Sequence, residues 1–367
     1  MTRILMTADA VGGVWTYACE LARALSIHRV ASTVATMGPI PTSDQLASAA
    51  DIANLDIVTS RYQLEWMDDA WRDIEAAGRW LLELESRIQP DAVHLNGYVH
   101  AGLPFNAPVV VVGHSCVRSW WRAVHGSEAP SAWDEYSRRV REGLQAAALV
   151  AAPTTAMLAE LEREYGPLPD VRVIPNGTDF TPARVPRHPF VFAAGRVWDE
   201  AKNIDALCAA ASEISWPVYV AGDARHPQGR PAASGYVHYL GRLDSTQVQH
   251  WYARASIYAL PARYEPFGLS VLEAARSGCA LVLGDIRSLR ENWTGAALFV
   301  PPDNRRAIAA AIQSLIDDES MRAELAFRAG MRSRQFTVAA MTAGYVETYE
   351  QVAAGVERRS ASVMVQR

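Results

Sequence analysis

The 367-residue sequence has no excess of basic charge and no long apolar run. Its 35 lysine and arginine residues are outnumbered by 40 aspartates and glutamates, which gives a net charge of -5. Proteins that bind nucleic acid need a basic surface to displace counterions, so this balance gives no support for that class. No apolar stretch approaches the roughly 18 residues needed to cross a bilayer. We therefore expect membrane contact to be peripheral at most.

The sequence also lacks clustered cysteines and paired metal-ligand spacings. The histidines show no ligand pattern either, so we predict no metal site and no cofactor. Isolated thiols are typical of a reducing compartment. The short apolar run after Arg3 is not the pattern of a signal peptide, and the expected location is the cytoplasm. The four cysteines are Cys19, Cys116, Cys208 and Cys279.

Short β-branched runs alternate with longer helical patterns along most of the chain. This alternation predicts βαβ units, with parallel sheets covered by helices on both faces. In the first half the predicted strands are Arg3–Thr7, Val30–Thr36, Asp56–Thr59, Ala92–Leu95, Val109–Val112, Leu149–Ala152 and Val171–Ile174. The main helices predicted between them are Trp66–Ile88, Trp133–Ala147 and Thr155–Tyr165, after a first helix that buries Val14, Trp15, Ala18, Leu21, Ala22 and Leu25.

A cluster of turn-forming residues interrupts this pattern near the middle of the chain. Pro175-Asn176-Gly177 is a turn signal, and three more prolines follow shortly after it. We therefore predict one domain over residues 1–180 and a second over 187–336, with a final helix and polar tail over 337–367. Both domains are predicted to be Rossmann-like, which places ligands outside the carboxyl ends of the strands.

The segment EPFGLSVLEAARSG, which begins at Glu265, carries the most chemical information. It follows an apolar strand, and its later part has the spacing of a helix. The start of a helix offers free N–H groups to an anion, and glycine lets a phosphate approach the backbone closely. Glu265 and Glu273 could line one ligand; alternatively, Glu265 complements the helix dipole and Glu273 is solvated. The candidate backbone donors are Phe267, Gly268 and Leu269.

Two cations form a second candidate element. Arg196 ends the strand sequence FVFAAGR, and Lys202-Asn203 opens the next predicted helix. Fixed cations at such positions can stabilise negative charge on a ligand. Isolated surface cations are usually only solvated, but the positions after a strand and at a helix start favour function here.

Two further candidates lie in the first half of the chain. Gly12 and Gly13 join the first strand to the first helix, where a backbone can approach a phosphate or sugar. Many such glycines serve geometry only, and the full G-x-G-x-x-G pattern is missing. His114 follows four consecutive valines, so it lies at the carboxyl end of a buried strand, where a histidine is either structural or functional.

Taken in order along nearly the whole chain, these elements resemble the retaining glycosyltransferases of the GT-B fold, in particular glycosyltransferase family 4. The resemblance implies an α/β protein with two Rossmann-like domains facing each other across a cleft. It also implies an acceptor on the N-terminal side, a nucleotide-sugar donor on the C-terminal side, and a final helix that crosses back to the first domain.

The resemblance also implies roles for the candidate residues. Glu273 would hold the ribose hydroxyls, Glu265 the transferred sugar near the reacting carbon, and His114 the region of the sugar C6 hydroxyl. Arg196 and Lys202 match the positions that bind the pyrophosphate. The remaining donor-binding candidates are Gly12, Gly13, Phe267, Gly268 and Leu269.

The implied activity is retaining transfer of a sugar from a UDP-, GDP- or ADP-sugar to a hydroxyl acceptor, such as a saccharide or a lipid-linked molecule. The sequence contains no Asp-x-Asp pair, so we predict that the reaction needs no metal. At Asn96-Gly97 and Arg287-Ser288 the sequence differs from the residues that the family often has at these positions. The resemblance therefore does not imply the family's contacts there. A sugar phosphorylase, a nucleotide-sugar epimerase and a non-catalytic nucleotide-sugar-binding protein remain alternatives. The degenerate glycine turn argues against a nicotinamide-dependent oxidoreductase.

Overall fold

The computed structural model describes residues 1–183, 185–223 and 236–365, with side chains as far as residue 355. The side chains of residues 356–367, which include the predicted polar tail, therefore lie outside the described residues. The described chain divides into two compact units. The first comprises Met1–Ser119, Glu128–Gly177 and the chain from Val338 onward, and the second comprises Trp120–Ser127 and Thr178–Thr337.

A seven-stranded parallel sheet forms the centre of the first unit, with strand order β3-β2-β1-β4-β5-β6-β7. Its strands are β1 Thr2–Asp9, β2 Val30–Met37, β3 Leu55–Thr59, β4 Ala92–Leu95, β5 Val109–Val112, β6 Leu149–Ala152 and β7 Val171–Val173. The helices along this part of the chain are α1 Gly13–Ile27, α2 Ser43–Ala49, α3 Trp71–Ile88, α4 Val117–His125, α5 Asp134–Ala146 and α6 Thr155–Tyr165.

The second unit contains a six-stranded parallel sheet, with strand order β10-β9-β8-β11-β12-β13. Its strands are β8 His188–Ala194, β9 Val218–Ala221, β10 Val237–Gly241, β11 Ala255–Leu260, β12 Ala280–Gly284 and β13 Leu298–Val300. Its helices are α7 Ile204–Ala210, α8 Ser245–Arg254, α9 Leu269–Arg276, α10 Arg287–Trp293, α11 Arg305–Asp317 and α12 Glu319–Ser333; the last helix, α13 Val338–Val365, groups with the first unit.

The central strands of both sheets are buried on both faces, which explains why they are almost continuously apolar. Residues of β5 alternate between two clusters: Val109 and Val111 pack on one side of the sheet, Val110 and Val112 on the other. In each unit the strand order reverses beside the first strand, at β1/β4 in one unit and at β8/β11 in the other. Such switch points open a crevice at the carboxyl ends of parallel strands.

One predicted helix differs from the observed one at its start. The helix predicted from Trp66 begins at Trp71. In α1, Tyr17 is buried although its position is not on the predicted face, and Val14 is only half-buried. Tyr17 is buried because the aromatic residue Tyr345 of α13 packs against it, with ring centroids 6.0 Å apart. Contacts from an element so distant in sequence are invisible to local periodicity.

One glycine of α5 lies very close to the backbone that follows β4. A Cβ atom on Gly143 would lie 2.0 Å from the backbone oxygen of Tyr98, well inside van der Waals contact. We expect Gly143→Ala to lower the free energy of unfolding by roughly 1–3 kcal/mol, because overpacking outweighs the better helix propensity of alanine.

The matched control is Gly102→Ala, since a Cβ at Gly102 has no neighbour within 4 Å. Urea unfolding followed by circular dichroism should show Gly102→Ala close to wild type. Equal stability of the two variants would contradict the close approach.

Candidate functional site

In the second unit the candidate residues follow the two strands at the switch point. Arg196 comes just after β8 and Glu265 just after β11, and these strands pair directly in parallel. The loops that leave them are also joined: the carbonyl of Ala201 accepts hydrogen bonds from the backbone N–H groups of Arg263 (2.8 Å) and Tyr264 (3.4 Å). The fold therefore brings together segments about 60 residues apart in the chain.

An ion pair joins two predicted residues at this place. Nζ of Lys202 lies 2.5 Å from Oε2 of Glu265, and the two side chains are only 17% and 12% exposed. Lys202 is also the only lysine of the sequence, in which arginine supplies every other basic side chain apart from histidine. A compact ammonium with three donors suits a phosphate as a point charge. The pair shows that Lys202 and Glu265 share one small, poorly solvated space.

Asn203, which follows Lys202, fixes the turn that carries it. Its backbone is left-handed, with φ of 56°, and its side chain is buried. Nδ2 donates to the carbonyls of Pro261 (2.8 Å) and Pro302 (2.7 Å). Lys202-Asn203 does not open α7 directly, because the helix begins at Ile204 after a short 3-10 turn that contains Lys202. Asparagine tolerates this backbone conformation better than most residues.

Arg196 is held by a carboxylate that the sequence did not single out. Asp199 accepts from the guanidinium at 2.7 Å and is buried, whereas the Arg196 side chain is 42% exposed. Burial by itself would raise the pKa of Asp199, but the charges of Arg196 and Lys202 prevail and hold that pKa below its usual value. The guanidinium also lies 5.4 Å from the ring centroid of Trp198. Arg196 is therefore oriented on one side and accessible on the other.

The turn between Glu265 and α9 leads into a helix start, as the sequence predicted. Gly268 is the N-cap with φ of 89°, a conformation that favours glycine. Phe267 is buried and anchors the turn in the core, and α9 begins at Leu269. The first N–H groups of any helix lack partners within the helix. The predicted backbone donors thus lie at the amino end of α9.

Helix α10 supports this turn from the other side. The hydroxyl of Ser288 donates to the backbone carbonyl of Glu265 at 2.6 Å, and Nδ2 of Asn292 donates to that of Phe267 at 3.4 Å. Both side chains are buried. Ser288 lies within the departure from the family pattern that made this loop doubtful. The serine provides a hydrogen bond that a glycine could not.

Glu273, one turn into α9, lies beside two buried tyrosines. Burial raises the pKa of Tyr252 well above its ordinary value, and the neighbouring hydroxyl of Tyr258 and the carboxylate of Glu273, which is hydrogen-bonded to Tyr252, raise it further. Glu273 is half-buried. The hydrogen bond with Tyr252 orients this carboxylate, a contact that helix periodicity alone does not reveal.

In the first unit the two predicted glycines lie after β1. Gly12 is the N-cap of α1 and Gly13 its first residue, and Gly13 is exposed. Before them, the carboxylate of Asp9 accepts from the backbone N–H of Val11 at 2.9 Å, which shapes the turn.

His114 follows β5 in the same unit. Its Nε2 lies 2.8 Å from Oδ1 of Asn96, and its ring meets that of Tyr17 edge-on with centroids 4.6 Å apart. Burial lowers the pKa of His114 to about 4. The imidazole is therefore neutral at pH 7 and can act as a hydrogen-bonding group, not as a cation.

Glu65 is a further ionisable group beside this edge of the sheet. Its carboxylate accepts from the backbone N–H groups of Tyr98 (3.0 Å) and Val99 (3.1 Å), which follow β4. Burial raises its pKa to about 7, although the two hydrogen bonds act in the opposite direction. No motif surrounds Glu65 in the sequence, so only the fold identifies it.

The raised pKa of Glu65 predicts a pH-dependent stability. The folded protein binds the proton more tightly than the unfolded chain, so the stabilisation is complete below about pH 4.5 and is lost as the pH rises through 7. Glu65→Gln should remove this dependence. The stability of wild type relative to Glu65→Gln should then fall by up to about 3 kcal/mol between pH 4.5 and 8.

Urea midpoints measured across this range test the expectation, with Glu83→Gln as the control at an exposed position of α3. A difference between wild type and Glu65→Gln that stays constant with pH would rule it out.

Two features are absent from the part of the chain that the structure describes. No group of three or more histidine, cysteine, aspartate or glutamate side chains in them is arranged to hold a metal ion. Within the same residues, no helix has both the length and the apolarity to cross a bilayer.

Comparisons with known proteins agree with this architecture. The family model described as "Glycosyltransferase Family 4" matches residues 11–182, and the model "Glycosyl transferases group 1" matches residues 188–318. Sucrose-phosphate synthase from Thermosynechococcus elongatus superposes with a TM-score of 0.81 at 20% identity, covering 97% of this chain and 100% of that one. That likeness defines the fold as GT-B, with two Rossmann-like domains.

Sequence relatives point the same way. D-inositol 3-phosphate glycosyltransferase of Jonesia denitrificans is 25% identical over 95% of this chain and 94% of its own length. O-antigen chain mannosyltransferase B of Escherichia coli is 26% identical over 164 residues, which is 45% of this chain and only 38% of that protein.

The fold and the two matched models define a GT-B glycosyltransferase. The match over residues 11–182 and the relative that spans 95% of the chain support the family 4 type of these proteins.

Proposed function

We propose that this protein transfers a sugar, with retention of anomeric configuration and without a metal ion, from a nucleotide-diphosphate-sugar to a hydroxyl acceptor. The observation that carries the proposal is the poorly solvated Lys202–Glu265 pair, beside the oriented Arg196 and the amino end of α9. Two cations and a helix start form a site for a diphosphate, and a carboxylate next to them suits a sugar hydroxyl.

The reaction breaks the bond between the sugar C1 and the phosphate oxygen and forms one between C1 and the acceptor oxygen. The departing nucleoside diphosphate gains negative charge, which Arg196 and Lys202 stabilise in the transition state. The proton of the acceptor hydroxyl passes to a phosphate oxygen of the leaving group. Fixed cations can therefore supply the stabilisation that a metal ion provides in other transferases.

The other residues position the substrates in this proposal. Glu273 accepts hydrogen bonds from the ribose hydroxyls, and Glu265 contacts the transferred sugar. The first unit holds the acceptor, a saccharide or a lipid-linked alcohol, beside the Gly12-Gly13 turn, and His114 hydrogen-bonds the sugar. The donor is a UDP-, GDP- or ADP-sugar.

We expect Lys202→Ala and Glu273→Ala each to lower transfer by about a hundredfold or more, the scale for removing an electrostatic contact made in the transition state. The measurement is the rate at which the full chain consumes the donor, with a panel of nucleotide-sugars and a panel of acceptors. EDTA is present to remove metal ions. Arg328→Ala is the matched control, since Arg328 makes an exposed ion pair with Glu324 on α12. Normal turnover by Lys202→Ala or Glu273→Ala would contradict the proposed function.

The single lysine allows a binding test that does not depend on turnover. Reductive methylation with ¹³C-formaldehyde labels only Lys202 and the terminal amine of this sequence. UDP, GDP or ADP should shift the Lys202 resonance and leave the terminal signal unchanged. A Lys202 signal that none of the three moves would contradict diphosphate binding here.

Product analysis separates the alternatives on the same fold. The anomeric configuration of the product, read by ¹H NMR, tests retention. Release of a sugar 1-phosphate would indicate a phosphorylase, an isomerised donor an epimerase, and binding without transfer or hydrolysis a non-catalytic protein.

A further inference from the structure

Three adjacent strands of the first unit bring polar side chains together where they end. β1, β4 and β5 are neighbours in the sheet, and Thr7, Asn96 and His114 lie at or just after their carboxyl ends. The side chain of Asn96 is in the middle. The backbone N–H of Asn96 donates to Oγ1 of Thr7 at 3.0 Å, which fixes the position of the backbone from which the amide side chain extends.

The hydrogen bonds of Asn96 decide which way its amide group faces. Nδ2 lies 2.6 Å from the backbone oxygen of Thr7, an atom that can only accept, so the nitrogen must be on that side. Oδ1 then faces Nε2 of His114 at 2.8 Å and Nε2 of His94 at 3.2 Å. Because this oxygen can only accept, each of the two Nε2 atoms carries a hydrogen.

The contacts of His94 agree with this arrangement. Its Nδ1 lies 2.7 Å from the hydroxyl of Tyr349, which can donate to a nitrogen without hydrogen. Burial lowers the pKa of His94 to about 3, and the proximity of His114 lowers it as well. Both rings are therefore neutral at pH 7, each with hydrogen on Nε2.

One ring nitrogen of His114 takes no part in this hydrogen-bond network. Nδ1 of His114 makes no hydrogen bond with the part of the chain that the structure describes. In the tautomer set by Asn96 this atom has a lone pair, so it accepts a hydrogen bond and cannot donate one. The edge-on contact with Tyr17 restricts rotation of the ring.

We propose that Asn96 is the positioning residue of His114: its amide oxygen fixes the imidazole with hydrogen on Nε2, so that Nδ1 accepts a hydrogen bond from a sugar hydroxyl. The tautomer stands on the hydrogen bonds alone, whereas the sugar contact rests on the proposed function. The residue that orients His114 is thus an uncharged amide, which leaves the ring neutral.

The wild-type protein tests the tautomer directly. In a long-range ¹H–¹⁵N spectrum of histidine-labelled full-length protein at pH 7, Nε2 of His114 should resonate as a protonated nitrogen and Nδ1 as an unprotonated one. His114→Gln assigns the signals by their loss. The opposite pattern, with hydrogen on Nδ1, would overturn the proposal.

Two variants separate positioning from folding. Asn96→Leu keeps the approximate size but removes the acceptor, so the His114 signals should move toward a mixture of tautomers. Asn96→Asp keeps the size, loses the hydrogen bond to the Thr7 carbonyl and places a carboxylate against both rings. The negative charge should raise the pKa of His114 and protonate both of its nitrogens at pH 7. The titratable side chains that face the imidazole of His114 are His94 and Tyr17.

The control is Asn106→Leu, at an exposed position before β5, which should leave the His114 signals unchanged. An unchanged tautomer in both Asn96 variants would show that Asn96 does not set it.

Activity supplies the second readout. With a donor that the wild type uses, Asn96→Leu should lower kcat by about tenfold to a hundredfold, the range for losing a partner that orients a functional histidine. Asn96→Asp should regain rate as the pH rises above the new pKa of His114. A purely structural role would lower thermal stability without this pH profile. The two readouts can also disagree. If Nε2 of His114 carries the hydrogen but the protein turns over no nucleotide-sugar, the proposed function is refuted and the tautomer assignment stands.

Discussion

The parallel pairing of β8 with β11 is the constraint on which the second unit's candidate site depends. Adjacent parallel strands end at the same edge of the sheet, so the loops after them must meet there. The hydrogen bonds from Arg263 and Tyr264 to Ala201 join those loops, and Lys202 and Glu265 come into contact as a result. The ion pair is thus a consequence of strand order, since the two residues are 63 positions apart.

Much of this architecture could be predicted because buried parallel strands are short and apolar and alternate with helices along the chain. The bounds of β4, β5 and β6 agree with those predicted from the sequence. The fold and the family are also confirmed by the comparisons. The roles of the individual site residues stay predictions, because position in a motif does not measure what a side chain binds.

Other features could not be predicted, for identifiable physical reasons. Helices α2 and α10 are each seven residues long, too short for a clear 3.6-residue period. Ser288 acts through a partner that local spacing does not specify, a backbone carbonyl on another loop. Glu65 bonds to backbone groups more than 30 residues away. Such contacts follow from tertiary structure alone.

The grouping of α13 with the first unit has a consequence for synthesis of the protein. Residues of the second unit lie between α6 and α13 in the chain, so that unit emerges from the ribosome before the first one is complete. Until α13 appears, His94 lacks Tyr349 and Tyr17 lacks Tyr345. Domains usually fold as they emerge, beginning with the N-terminal one. Here the first unit begins before the second and is completed after it, so a nascent chain lacks these contacts of His94 and Tyr17 until the second unit has been made.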